Sequence, residues 1–134
     1  MSAAPTSRFV TLDDGLRIHL LEMGENSAGE SPLLLIHGHP VTSHLWRFVL
    51  PILAEKNRVI ALDLPGWGKS EKPRDIDLDL DFNVDVLRRA TTALELEGAH
   101  VVGHDVGALV ALELASREPE IVDRLVIMDT APYV

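Results

Sequence analysis

Residues 103–107 read Gly103-His104-Asp105-Val106-Gly107, a carboxylate with glycine two positions away on either side. A short apolar run, Ala99-His100-Val101-Val102, leads in, and Ala108-Leu109-Val110-Ala111-Leu112-Glu113-Leu114-Ala115, strong helix-forming sequence, leads out. That order predicts strand, sharp turn, helix. The glycines are needed because side chains beside so strained a bend would collide with their neighbours. Asp105 would then stand clear of the sheet at a helix N-terminus, whose free amides favour negative charge. A carboxylate gains little by attacking an ester or amide, since the anhydride formed collapses back. It suits saturated carbon bearing a leaving group, as in an epoxide or an alkyl halide, and the product is an alkyl-enzyme ester. Water activated by a histidine must then attack the carbonyl of Asp105 to free the enzyme. A second reading makes Asp105 only a cap of the helix that follows.

Two further turns precede this one. Pro32-Leu33-Leu34-Leu35-Ile36 has the continuous apolar character of a buried parallel strand and ends in His37-Gly38-His39-Pro40. Arg58-Val59-Ile60-Ala61-Leu62 is similar and ends in Asp63-Leu64-Pro65-Gly66-Trp67-Gly68-Lys69-Ser70. With the elbow at Asp105, these turns resemble the α/β-hydrolase superfamily: H-G-x-P after the third strand, D-x-x-G-x-G-x-S after the fourth and the nucleophile after the fifth. The resemblance runs from about Arg8 to Pro132. It implies that the backbone N–H groups of His39 and Val106 form an oxyanion hole; the His39 ring, His37, Trp67 and His104 are candidates to line the pocket. For His37 and His104, packing or turn stabilisation is the favoured reading, because both sit at strand ends beside glycines.

An Asp nucleophile narrows the resemblance to the epoxide hydrolases and the haloalkane and haloacetate dehalogenases. Asp129 follows the strand Arg124-Leu125-Val126-Ile127-Met128, where dehalogenases carry the acid that orients the catalytic histidine. Two readings stand for Asp129: triad acid, or cap of the loop Thr130-Ala131-Pro132. Haloalkane dehalogenases generally place Trp after the nucleophile and often Asn in the H-G-x-P turn, where this chain has Val106 and His39. Haloacetate dehalogenases place arginines where this chain has Val106 and Leu109. An epoxide therefore fits these positions best. The ring-opening acids of epoxide hydrolases are cap-domain tyrosines, and the chain has one tyrosine, Tyr133.

The same resemblance bears on length. Beyond the sixth strand, family members carry a helical cap, two more strands and the catalytic histidine. None of the six histidines, His19, His37, His39, His44, His100 and His104, holds that late position. Residues 1–134 are thus expected to form a single partial domain, the N-terminal half of such a fold, whether a fragment or a split gene product. Alkylation could then proceed while ester hydrolysis stalls.

The elements that must position Asp105 follow from periodicity. The fold class is α/β: a mostly parallel sheet of about six strands with an antiparallel N-terminal edge hairpin, flanked by three helices. Phe9–Leu12 and Leu16–Met23 read as the hairpin, turning at Asp13-Asp14-Gly15. One helix is predicted over His44–Ala54 behind a Thr42-Ser43 cap. Another carries Phe82, Val86, Ala90, Ala93 and Leu94 inward and ends at Gly98.

Composition excludes several classes. A net charge of −9 argues against nucleic acid or an anionic membrane as partner. No cysteine means no disulfide framework or thiolate metal site. Neither a signal peptide nor a span-length apolar run is visible, so a cytoplasmic location is expected, with no cofactor and no metal. Gly68-Lys69-Ser70 imitates a P-loop, but Asp63 stands where that loop needs glycine. Asp75, Asp77 and Asp79 imitate a calcium loop, yet Leu80 and Val86 occupy the positions that need glycine and glutamate.

Two functions from different classes remain. The first is a hydrolase whose carboxylate attacks an epoxide or alkyl halide. The second is a non-catalytic scaffold that self-associates or awaits a complementary C-terminal half. Val126-Ile127-Met128 and the elbow helix are apolar almost all round, and their exposure would favour a homodimer burying ~1,000 Å² or more. An esterase or lyase with Asp105 in place of serine ranks last.

Overall fold

A computed structural model describes residues 3–130. Six strands form one sheet: β1 (Thr6–Thr11), β2 (Arg17–Met23), β3 (Leu33–Ile36), β4 (Val59–Leu62), β5 (Ala99–His104) and β6 (Val122–Met128), in the spatial order β1-β2-β4-β3-β5-β6. β1 and β2 form the antiparallel edge hairpin, β2 also runs antiparallel to β4, and β4, β3, β5 and β6 are parallel. The expected sheet is therefore the observed one. The C-terminal ends of β3 and β5 come level, with Ile36 opposite Gly103, so the turns after them meet.

β3 and β4 lie at the centre, and alternate residues along them serve two cores. Leu34, Ile36, Ile60 and Leu62 face a large core completed by Val84, Leu87, Val110 and Leu114. Leu35, Val59 and Ala61 face a smaller one with Trp46 and Leu50. Both faces are covered, which is why these strands read as unbroken apolar runs.

The helices depart from expectation in three places. His44–Ala54 is not one helix but a 3₁₀ turn at Ser43–Trp46 followed by α1 (Leu50–Leu53). Pro51 explains the break, because it lacks an N–H and its ring would strike the carbonyl of Arg47 in a continuous helix. Thr42 does cap the first turn, its Oγ1 accepting the His44 N–H at 3.3 Å. α2 (Leu80–Ala93) is capped by Asp79, which accepts the Phe82 N–H at 2.9 Å. Its buried face is Asn83, Val84, Val86, Leu87, Ala90 and Thr91, leaving Ala93 exposed.

Gly98 does not end α2. Glu95 does, at φ +56°, with the Glu95 N–H on the Thr92 carbonyl at 3.2 Å and the Leu96 N–H on the Thr91 carbonyl at 2.9 Å. This pairing of the last carbonyls is a Schellman motif, and Leu96, fully buried, anchors it.

α3 (Val106–Arg117) begins immediately after Asp105 and packs against β5, β6 and α2. Ala108, Val110, Ala111 and Leu114 are buried there, so the elbow helix is covered rather than open. β6 is open along its outer edge, with Val126 51% exposed, Ile127 37% and Met128 36%. No helix among the described residues is long and apolar enough to cross a membrane. Tyr133 and Pro132 lie outside the described residues.

Candidate active site

Asp105 occupies the bend between β5 and α3 at φ 55°, ψ −119°, a conformation that non-glycine residues rarely adopt. Two backbone bonds fix it. Its N–H donates to the Met128 carbonyl at 3.0 Å, and its carbonyl accepts the Ala108 N–H at 3.1 Å. The flanking glycines are required by space. A Cβ on Gly103 would lie 2.5 Å from the Gly107 carbonyl oxygen and 2.6 Å from the Ala108 Cα, and one on Gly107 would overlap the carbonyl oxygens of His37 and Ile36.

The loop after β3 closes onto this bend. His39 N–H donates to Asp105 Oδ2 at 3.0 Å. Gly38 makes the approach possible: a Cβ there would stand 2.5 Å from the Asp105 Cβ and 2.9 Å from Oδ2. The amide of His39, and after it that of Val106, hold the Asp105 carboxyl below the ordinary aspartate value of 3.8; slight burial opposes them. Asp105 is thus a carboxylate throughout the physiological range.

A cavity of about 360 Å³ opens beside the two donor residues, His39 and Val106, and is walled mainly by Pro65, Trp67, Leu80 and Leu109. The wall is apolar. The His39 ring stacks on Trp67, with centroids 4.1 Å apart and planes at 28°. His39 and Val106 thus offer backbone amides on one side and cavity wall on the other.

His37 and His104 are not among the residues that wall this cavity, so their candidacy as pocket-lining residues fails and the packing reading stands. His37 is fully buried, its Nε2 accepting the Leu64 N–H at 2.9 Å and its Nδ1 donating to the Gly38 carbonyl at 2.8 Å. It clamps the loop after β3 to the loop after β4. Burial pushes its imidazole below the usual 6.5, which keeps Nε2 free to accept. His104 Nε2 lies 3.4 Å from Asp129 Oδ2. Asp129, at φ 52°, is exposed at the end of β6, one residue beyond the carbonyl that holds the Asp105 N–H. Asp129 and Asp105 therefore stand on neighbouring strand ends, and the imidazole facing Asp129 is that of His104.

Asp63 has a larger part than its place in a motif suggested. Its Oδ1 accepts the Ser43 N–H at 2.7 Å and its Oδ2 the Lys69 N–H at 3.0 Å, so one buried carboxylate ties together the loops after β3 and β4. Burial alone would raise its pKa; the amides of Lys69 and Ser43 and the contact with His19 more than offset that and hold it down. A buried aspartate at a strand end, followed by glycines that let the chain fold back over it, is the signal that could have found this clamp. Gly38 shows no such signal, since its neighbour Asp105 lies 67 positions away.

A family model described as alpha/beta hydrolase fold matches residues 31–133. The chain belongs to that family. It is 43% identical over 120 residues to 2-hydroxymuconate semialdehyde hydrolase of Pseudomonas sp. (strain CF600), covering 87% of this chain and 41% of that protein. It is 37% identical over 125 residues to epoxide hydrolase 1 of Caenorhabditis elegans, covering 90% of this chain and 29% of that protein. A crystal structure of a haloalkane dehalogenase from Agrobacterium tumefaciens C58 superposes with a TM-score of 0.84 at 32% identity, over 95% of this chain and 42% of that one. The chain thus spans less than half the length of these hydrolase-fold relatives. Their names differ in substrate class, so identity alone selects no chemistry, and the site must.

Proposed function

We propose that this hydrolase-fold chain uses Asp105 as a carboxylate nucleophile toward saturated carbon, with an uncharged epoxide as the favoured substrate and an alkyl halide next. The observation that carries the reading is the Asp105 carboxylate itself: ionised, set on a strained bend, with Oδ2 held by the His39 amide at 3.0 Å. That bond divides the labour between the two oxygens. Oδ1 forms the new bond to carbon while the carbon–oxygen or carbon–halogen bond breaks; its electron pair leaves with the halide, or with the epoxide oxygen, which takes a proton from solvent. Oδ2 becomes the ester carbonyl oxygen, already at the amides where negative charge gathers when water adds to that carbonyl. The cavity supports the substrate class. Val106 and Leu109 give its wall aliphatic surface and no cation for a substrate carboxylate.

Hydrolysis of the ester needs a base. The imidazoles of His19, His37, His100 and His104 face Asp63, the Gly38 carbonyl and Leu64 amide, Asp123 and Asp129 respectively. With the His39 ring stacked on Trp67, the ester is expected to persist long enough to be weighed. Incubation with an aliphatic epoxide and with a bromoalkane, followed by intact mass measurement, tests the reading. One alkyl equivalent on the wild-type chain and none on Asp105→Ala is expected; equal alkylation of both overturns it.

The exposed apolar edge of β6 favours a second reading, a self-associating scaffold without chemistry. A chain that takes no adduct from either electrophile yet scatters light as a dimer would support that reading instead.

A further inference from the structure

Toward the hairpin edge of the sheet, three side chains that the Asp105 chemistry does not use form a continuous hydrogen-bonded row. Ser7 Oγ on β1 lies 2.7 Å from His19 Nε2 on β2, and His19 Nδ1 lies 2.8 Å from Asp63 Oδ2 after β4. β2 is separated from β5 by β4 and β3, about 14 Å at ordinary strand spacing, so this row is distinct from the elbow.

The order and geometry fix the role of each member. Asp63 is held by the Ser43 and Lys69 amides and cannot swing away from the ring. An ionised carboxylate can only accept, so Nδ1 of His19 carries the hydrogen, and in the neutral ring Nε2 must then accept from the Ser7 hydroxyl. His19 and Asp63 are both buried, and the Phe9 ring lies edge-on to the imidazole at 5.3 Å, which holds it in plane. Ser7 is the exposed residue at the end of the row. A shallow surface cavity lies along the same hairpin, bounded by Phe9, Gly15, Arg17, Lys69 and Glu71, with the Arg17 guanidinium over the Phe9 ring at 4.2 Å.

We propose that Ser7 is a second, separately activated nucleophile, with His19 as its general base and Asp63 holding the imidazole, and that it takes an acyl or phosphonyl group from an activated donor. With an alkyl fluorophosphonate, the Ser7 oxygen bonds to phosphorus while the phosphorus–fluorine bond breaks and its electron pair leaves as fluoride. The hydroxyl proton passes to His19 Nε2 and from there to solvent. Because the base is built in, Ser7 reacts while Ser27 and Ser31, on the same chain, do not.

The test is incubation of the full chain with an alkyl fluorophosphonate, intact mass measurement and peptide mapping. One adduct, on Ser7, is expected. It is absent from Ser7→Ala, unchanged in Thr6→Ala, and formed on the order of a hundredfold more slowly in His19→Gln, the usual worth of a positioned base. Circular dichroism confirms that each variant is folded, and the wild-type result stands without any of them. No adduct on the folded wild-type chain overturns the proposal. So does labelling spread over Ser7, Ser27 and Ser31 alike, or His19→Gln labelling at the wild-type rate.

Discussion

At Asp105 the backbone and the side chain are held by different partners, and each carries a separate consequence. The side chain faces the His39 and Val106 amides, which lower its pKa from 3.8. A lowered carboxyl is charged above its folded pKa and neutral only below it, so its charge is present at neutral pH and is lost as the solution is acidified through that lowered value. The alkylation rate is therefore expected to stay flat from neutral pH down to about 5 and to fall only in more acid solution, with a midpoint below the ordinary range. A midpoint above 3.8 would show that the amides do not face the charged form. Gly38 supplies the second prediction at this scale. Alanine there places a methyl against the Asp105 Cβ, pushes the loop back and breaks the His39 bond. Alkylation of Gly38→Ala is expected to fall on the order of a hundredfold, the usual cost of moving a reacting group out of line by about 1 Å. Wild-type rates from a folded Gly38→Ala chain would contradict that account.

Among the elements, the end of α2 offers a measurement of its own. Glu95 sits in the left-handed region at φ +56° with its amide on the Thr92 carbonyl, a place where glycine avoids the Cβ clash. Glu95→Gly relieves that strain but frees the unfolded chain, so a net stabilisation of about 0.5–1 kcal/mol is expected in urea unfolding. A loss of stability would mean that the glutamate side chain matters to the cap. Leu87→Ala, a fully buried residue of the same helix, is expected to cost about 2–5 kcal/mol in the same measurement. These two positions also show what a sequence discloses. Leu33–Ile36 and Val59–Leu62 are legible because strands buried on both faces must be apolar throughout, and the elbow because glycine spacing around Asp105 admits few backbones. The stop at Glu95 is not legible, since nothing in a glutamate marks a left-handed turn. The row Ser7–His19–Asp63 is hidden for another reason. Ser7 precedes the strand read from Phe9 to Leu12, and the His19–Asp63 contact spans 44 positions, which no local pattern reports.

Among the described residues the sheet ends in a charged hairpin at one edge and in β6 at the other. At the hairpin edge Arg8 and Arg58 share Glu22 at 2.7 Å each, whereas β6 presents Val126, Ile127 and Met128 with unpaired backbone beside them. Charged side chains protect an edge and apolar ones invite pairing. The self-associating reading predicts, in light scattering over a concentration series, dimers of the wild-type chain and monomers of Val126→Lys; a wild-type monomer at every concentration would contradict that reading. The two ends of the sheet also separate the two proposed nucleophiles, Asp105 beside the open edge and Ser7 in the hairpin. The central claim concerns the first of them. It is tested most directly by tandem mass spectrometry of the chain after exposure to an epoxide, locating the added group within residues 103–110. The account predicts an alkyl ester on the Asp105 side chain that hydroxylamine removes. A hydroxylamine-stable group on His39 or His104, with Asp105 unmodified, would contradict it.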